Sequence, residues 1–281
     1  AAFESCPSPW GDGGPLTISP PLVRGADRLR RTLLPSLLEA RAGNEAVGAP
    51  HGDLFEIARA YLPRPSVVAE GAPPLLEPLL VSFVTGGDFF RGKGLAEAVC
   101  GGLGVGGPAE SLRFRPFTGG LLAAGRAAEI VLEAEGLEPR RVGIVGEVDA
   151  ATLAGFSLPG PVVVGELRLD LLEFAVGRDR RLERPSDFPA VQRDINLVVA
   201  DTVPWGDVDA AIHMAAGRML EACRLVQVWQ DAERLGAGKK SMVVSLRLRS
   251  DTGTLSGDEA GRLVDGVVAE CGRRVGAVLR G

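Results

Sequence analysis

The sequence predicts an α+β protein, and three observations carry that reading. Two stretches alternate with a period of two, as strands with one packed and one open face do. In Phe188-Pro-Ala-Val-Gln-Arg-Asp-Ile-Asn-Leu-Val-Val199, Ile195, Leu197 and Val199 share one face, and Asn196 and Val198 the other. In Gly238-Lys-Lys-Ser-Met-Val-Val-Ser-Leu-Arg-Leu-Arg249, Met242, Val244, Leu246 and Leu248 oppose Ser241, Val243, Ser245, Arg247 and Arg249. Helical periodicity lies between and after these strands, so the order from about Arg184 is strand, helix, strand, strand, helix, strand. That is the ferredoxin-like βαββαβ order.

Taken in order, the opening to about Pro21 is rich in Pro and Gly and reads as a loop with one short strand, Leu16 to Ile18. Arg28-Leu-Arg-Arg-Thr-Leu-Leu-Pro-Ser-Leu-Leu-Glu-Ala40 reads as a turn into a helix with Pro35 near its start. Pro63 to Pro78 carries many prolines and reads as a shortened or irregular loop. Apolar alternation predicts strands over Val142 to Glu147 and Val162 to Leu172. Gly177 to Arg184, dense in charge, reads as the linker between two domains, 1–178 and 184–281. In the second, Pro204 suits the first turn of a helix that repeats Val208, Ile212, Ala215 and Met219 on one face. A strand from Arg224 to Trp229 follows. The last helix opens on the capping box Ser256-Gly-Asp-Glu259, carries the stripe Leu263, Val264, Val267, Val268 and Cys271, and leads into a final strand from Val275 to Arg280.

At 281 residues, with 46% hydrophobic and 24% charged, the chain is long enough for two domains with a sizeable core. A net charge of -5 argues against a wholesale polyanion binder. The acidic excess lies before Arg184; beyond it the charges balance, and Arg234, Lys239, Lys240, Arg247 and Arg249 run without an intervening carboxylate. Such a stripe is the minimum an RNA-binding face needs, and it serves equally as a charged guard on a hairpin edge. Cys6, Cys100, Cys223 and Cys271 form no C-x-x-C pair and read as free buried thiols of a cytoplasmic protein. No signal peptide and no bilayer-spanning apolar run is recognisable, so no membrane partner is expected. The opening Ala1-Ala-Phe-Glu-Ser-Cys6, without Met, suggests a piece of a longer protein.

Several motifs mimic chemistry. Gly87-Asp-Phe-Phe-Arg-Gly-Lys-Gly94 fits G-x-x-x-x-G-K but puts Gly94 where a magnesium-holding hydroxyl belongs. Gly102-Leu-Gly-Val-Gly-Gly107 fits G-x-G-x-x-G but follows a helix rather than a strand, and reads as a helix-end loop. His51 and His213 lack ligand spacing, and Ser157 lacks the G-x-S-x-G elbow. No catalytic residue and no metal ligand is expected.

Four motifs of the second half carry a resemblance. Phe188-Pro-x-x-x-Arg-Asp-Ile195, Gly238-Lys-Lys-Ser241, Thr254-Leu-Ser-Gly-Asp-Glu259 and Val275-Gly-Ala-Val-Leu-Arg280 are similar, in order and spacing, to the anticodon-binding domain closing the β subunit of bacterial phenylalanyl-tRNA synthetase. The middle strand departs from it: the family usually has Phe-Asp-x-Tyr, and Val226-Gln-Val-Trp229 keeps an aromatic but loses the carboxylate. Earlier, Leu29 to Leu38 resembles the family's Leu-Arg-Thr-Ser-Leu-Leu-Pro-Gly-Leu-Leu, and Asp53 to Tyr61 its Leu-Phe-Glu-Ile-Gly-Arg strand, on which Phe55 and Ile57 should enter the core with Glu56 opposite. Asp88-Phe-Phe-Arg-Gly-Lys-Gly94 resembles Asp-Phe-Phe-Asp-x-Lys-Gly, leading into a helix; the family's His-Pro-Gly segment reads Arg115-Pro-Phe-Thr-Gly-Gly120, without the His.

The resemblance runs from about Leu16 to the end. It implies a class II synthetase-like antiparallel sheet module without catalysis, followed by the ferredoxin-fold anticodon-binding domain. The residues for ATP and phenylalanine would belong to a partner α subunit. An α2β2 heterotetramer would act as the ligase with ATP and magnesium, and this segment would hold no cofactor and bind tRNA, not DNA. For RNA contact, Lys239, Lys240, Arg247 and Arg249 are expected to attract phosphates, with Asn196 and Val198 beside them for base contact or stacking. Arg193 either joins them or pairs with Asp194 to brace its strand. A rival reading makes both domains pure assembly modules without RNA binding, and it requires an apolar open face.

Overall fold

The computed structural model describes residues 7–11, 13–21, 27–49, 52–63, 75–105, 110–134, 138–173 and 186–280. Contacts divide the chain into two units, residues 1–180 and 181–281. The expected linker, 177–184, lies outside the described residues, as do Cys6 and His51.

The first unit begins with α1 (Leu34–Ala46), β1 (Leu54–Arg59), the two-residue strands β2 (Leu62–Pro63) and β3 (Leu75–Leu76), β4 (Leu79–Gly86) and α2 (Phe89–Leu103). It continues with β5 (Glu110–Pro116), β6 (Leu122–Ala134), β7 (Arg140–Val148), α3 (Ala150–Gly155), β8 (Val162–Arg168) and α4 (Leu169–Leu172). Six strands form one antiparallel sheet in the order β1-β4-β8-β7-β6-β5. Its inner strands are buried on both faces, which is why β4 and β8 read as nearly continuous apolar runs. One face packs Val81, Phe83, Val145, Val163 and Leu167 with Ala96 and Cys100 of α2. The other packs Val84, Ile144, Val162 and Val164 against Leu34, Leu37 and Leu38 of α1.

Glu166 sits inside this sheet at 0% exposure, with no ion-pair partner among the described residues. Four groups donate to its carboxylate: Trp10 Nε1 at 2.6 Å, Thr32 Oγ1 at 2.8 Å, the Leu33 amide at 2.8 Å and Ser82 Oγ at 2.7 Å. One side chain thereby ties the opening loop, the start of α1, β4 and β8 together. Burial pushes its carboxyl above the usual carboxylate range, against the opposing pull of these donors.

The fold departs from the sequence reading in particular places. Phe55 and Ile57 are 74% and 55% exposed, not in the core. They share a face with Phe83 and Val81 across the β1–β4 register, but β1 is the sheet edge, and α2 packs on β7 and β8. Glu56 bonds Arg30 at 2.7 Å. Leu169 to Leu172, expected to extend β8, turns into α4, with Leu172 buried. The expected strand at Leu16–Ile18 reduces to an isolated bridge between Thr17 and Arg28.

The second unit runs β9 (Val191–Ala200), α5 (Trp205–Ala216), β10 (Leu220–Trp229), α6 (Ala232–Leu235), β11 (Lys239–Leu248), α7 (Gly257–Val275) and β12 (Val278–Leu279). The strands pair antiparallel in the order β10-β11-β9-β12, the ferredoxin-like arrangement expected. Helices α5 and α7 cover one face, burying Val208, Ile212, Val267 and Cys271 against Ile195, Leu197, Met242 and Leu246. Ser256 and Glu259 form the capping box at the start of α7. Two expected boundaries move. Met219 falls in a 3₁₀ turn after α5 and is 43% exposed, while Val275 ends α7 rather than opening a strand, because Gly276 takes the left-handed cap at φ 65°. Cys100, Cys223 and Cys271 are free thiols.

Candidate nucleic-acid interface

The face of the second sheet away from α5 and α7 follows from strand register. On β9 it carries Gln192, Asp194, Asn196 and Val198; on β11, Ser241, Val243, Ser245 and Arg247. Across from β11, Ala222, Arg224, Gln227 and Trp229 of β10 take their places opposite Arg247, Ser245, Val243 and Ser241. Val278 lies opposite Val198 at the other edge, and the Arg280 amide donates to the Asn196 carbonyl at 2.8 Å.

Several residues expected at this face are placed otherwise. Asn196 and Val198 lie on it, and Ser241 Oγ donates to Asn196 Oδ1. Lys240 shares the parity of buried Met242, so its stem lies on the helix side, where its ammonium donates to the Asp201 carbonyl at 2.7 Å. Arg193, opposite buried Leu246, also has helix-side parity; its guanidinium donates to the Gln192 carbonyl at 2.9 Å rather than pairing with Asp194. Lys239, at the start of β11, is exposed, and its ammonium has no partner among the described residues.

Arg247 and Arg249 converge on Glu221 of β10. The Nε groups of Arg247 and Arg249 donate to Glu221 Oε2 at 2.8 and 2.9 Å, and Arg249 Nη2 donates to Oε1 at 3.0 Å. Arg249 also donates to the Phe188 carbonyl at 2.6 Å. The hydrogen bond from Arg249, helped by Arg247, holds the Glu221 carboxyl below the usual carboxylate range. The sequence stripe that lacked a carboxylate therefore has one supplied by the neighbouring strand.

Two cations of this face have no carboxylate partner among the described residues. Arg224 is exposed on β10, and Arg280 lays its guanidinium carbon 5.2 Å from the Trp229 ring centroid. The sequence showed Trp229 and Arg280 as members of separate motifs. Only the pairing of β9 with both β11 and β12 brings them together.

Among the described residues the first unit offers no comparable site. Gly92, in the phosphate-loop mimic, is required by packing: a Cβ there would stand 2.3 Å from Val163 Cγ1. Asp88 caps α2 by accepting from the Arg91 amide at 3.1 Å. A cleft of about 280 Å³ beside Phe89 and Phe90 contains Glu147, but that carboxylate is engaged by the Phe89 amide at 3.3 Å and by Arg126 at 2.7 Å. Gly104 caps the end of α2 at φ 83°, so the second Gly-rich motif begins as a helix end. His213 Nδ1 lies 3.0 Å from the Asp209 carbonyl of its own helix. Among the described residues no group of three or more His, Cys, Asp or Glu could hold a metal ion. No described helix is long and apolar enough to cross a membrane.

Residues 186–280 match the family model for the ferredoxin-fold anticodon binding domain, and residues 11–169, more than half the chain, match that for the phenylalanyl tRNA synthetase beta chain CLM domain. This chain belongs to the phenylalanyl-tRNA synthetase β-chain family. It is similar to the phenylalanine–tRNA ligase beta subunit of Rhodopirellula baltica, 35% identical over 97% of this chain and 40% of that protein. The corresponding subunit of Streptomyces avermitilis is 33% identical over 92% of this chain and 34% of its own length. The chain thus spans well under half of these β subunits. A solved pyrrolysyl tRNA synthetase from Desulfitobacterium hafniense overlaps 53% of this chain and 50% of its own at 16% identity and a TM-score of 0.39, a likeness too slight to bear on function.

Proposed function

We propose that this chain is the part of a cytoplasmic phenylalanine–tRNA ligase β subunit that binds the anticodon region of tRNA through the second unit and packs on the catalytic α subunit through the first. It performs no catalysis itself; ATP, magnesium and phenylalanine act on the α subunit of the assembled α2β2 ligase. The contribution to the reaction is orientation of the tRNA. One observation carries the RNA reading: the open face carries an aromatic ring, Trp229, with the Arg280 guanidinium against it, beside the exposed cation Arg224 and with Lys239 at its margin. Ring faces stack on bases, and free cations attract phosphates. Asn196 and Gln227 supply polar groups able to reach base edges. Exposed Phe55 and Ile57 support packing of the first unit on a protein partner.

The reading is tested by measuring affinity of the full chain for phenylalanine tRNA and an unrelated tRNA across a salt series. Affinity should fall with salt, and Lys239→Ala should make the slope shallower by about one counterion. Lys240→Ala should leave the slope unchanged, since its stem lies on the helix side of the sheet, away from the open face. No binding at low salt would overturn the RNA role and leave assembly as the function of both units.

A further inference from the structure

We propose that Arg280 is a positioning residue for RNA binding, acting through Trp229: its guanidinium fixes the indole across the open face so that the ring is presented ready for a base. The inference rests on the RNA reading above and adds how the site is prepared. Trp229 ends β10, at one edge of the sheet, and Arg280 follows β12, at the other. With β11 and β9 between them, their side chains must bridge the two inner strands to approach within 5.2 Å. A cation within about 6 Å of an indole centroid is attracted by the ring's negative face.

The inner strands agree with such a bridge. Ser241, the direct cross-strand neighbour of Trp229, is 2% exposed although it lies on the face without helices. It is bonded to Asn196, whose carbonyl accepts the Arg280 amide. The backbone of Arg280 is thereby anchored to the strand its side chain crosses. Its guanidinium is not drawn off to a carboxylate among the described residues, unlike Arg247 and Arg249, which share Glu221. A ring already held in place loses less freedom when a base stacks on it than a free ring would.

The test measures phenylalanine tRNA affinity of the full chain and its Trp229→Ala, Arg280→Ala, Arg280→Lys and doubly Ala-substituted variants, with the tryptophan emission of each free protein. Trp229→Ala should weaken binding about 10-fold. Arg280→Ala should weaken it about 3- to 10-fold and change the part of the emission that Trp229→Ala removes, leaving that from Trp10 and Trp205. The double variant should bind no worse than Trp229→Ala alone, because Arg280 acts through the ring. Arg280→Lys, still a cation, should recover part of the loss. Additive losses with unchanged emission would overturn the proposal, since Arg280 would then meet RNA on its own. Wild-type affinity in Trp229→Ala would overturn it too. If the unsubstituted chain binds no tRNA, the RNA reading falls first and this inference with it.

Discussion

Glu221 ties up two of the cations that the sequence offers for RNA contact. Its carboxylate accepts from both Arg247 and Arg249, whose bonds hold its carboxyl below the usual carboxylate range. Glu221→Gln should release both guanidinium groups, tighten tRNA binding and steepen its salt dependence by about one to two counterions. Weaker binding in a salt titration of that variant would show instead that the clamp orders the face. Glu166 supports a different prediction. Its folded pKa is raised, so its protonated form favours the native state; that contribution is complete below the ordinary carboxylate value and is lost as pH rises through the raised one. Urea unfolding at several pH values should therefore show the wild type losing stability relative to Glu166→Gln as pH climbs through that window. A difference that stays constant or grows in favour of the wild type would contradict the burial argument. The stripe of basic residues was legible in the sequence, and its neutralisation was not. Charge along one strand is written in the chain, whereas the carboxylate from β10 arrives through register.

At the scale of elements, the signals that carried furthest were local. Ser256 and Glu259 stand three residues apart and cap α7 as their spacing requires. Ser256→Ala should cost about 1 kcal/mol in equilibrium unfolding of the second unit. Gly92 carries a packing role that a motif search reads as phosphate binding. Gly92→Ala would drive a methyl group into Val163 and should destabilise the first unit by about 1–3 kcal/mol, read from its denaturation midpoint. Misplacements occurred where alternation or helical period ran past its physical limit. Met219 continues the period of α5, but Gly217 breaks the helix at φ 53°. Phe55 and Ile57 alternate as core residues would, yet alternation does not distinguish a central strand from an edge. The ferredoxin-like order of the second unit was legible because each of its elements carries its own period and stop.

In the whole molecule, the first unit exposes Phe55 and Ile57 on its edge strand, and the second has a polar, cation-bearing sheet face. Phe55→Asp with Ile57→Asp should leave the unfolding midpoint of the chain nearly unchanged, since exposed positions rarely move stability by more than about 0.5 kcal/mol. The same pair should reduce co-purification of the α subunit, and unchanged recovery would move the assembly surface elsewhere. In the proposed function, the open face of the second sheet meets the anticodon region of tRNA. Photo-crosslinking the full chain to phenylalanine tRNA carrying 4-thiouridine in the anticodon loop, with adducts mapped by mass spectrometry, tests it most directly. Adducts are expected in peptides containing Trp229, Ser241 to Ser245 or Arg280. Adducts confined to residues 1–180, or to α5 and α7 on the opposite side of the sheet, would contradict it.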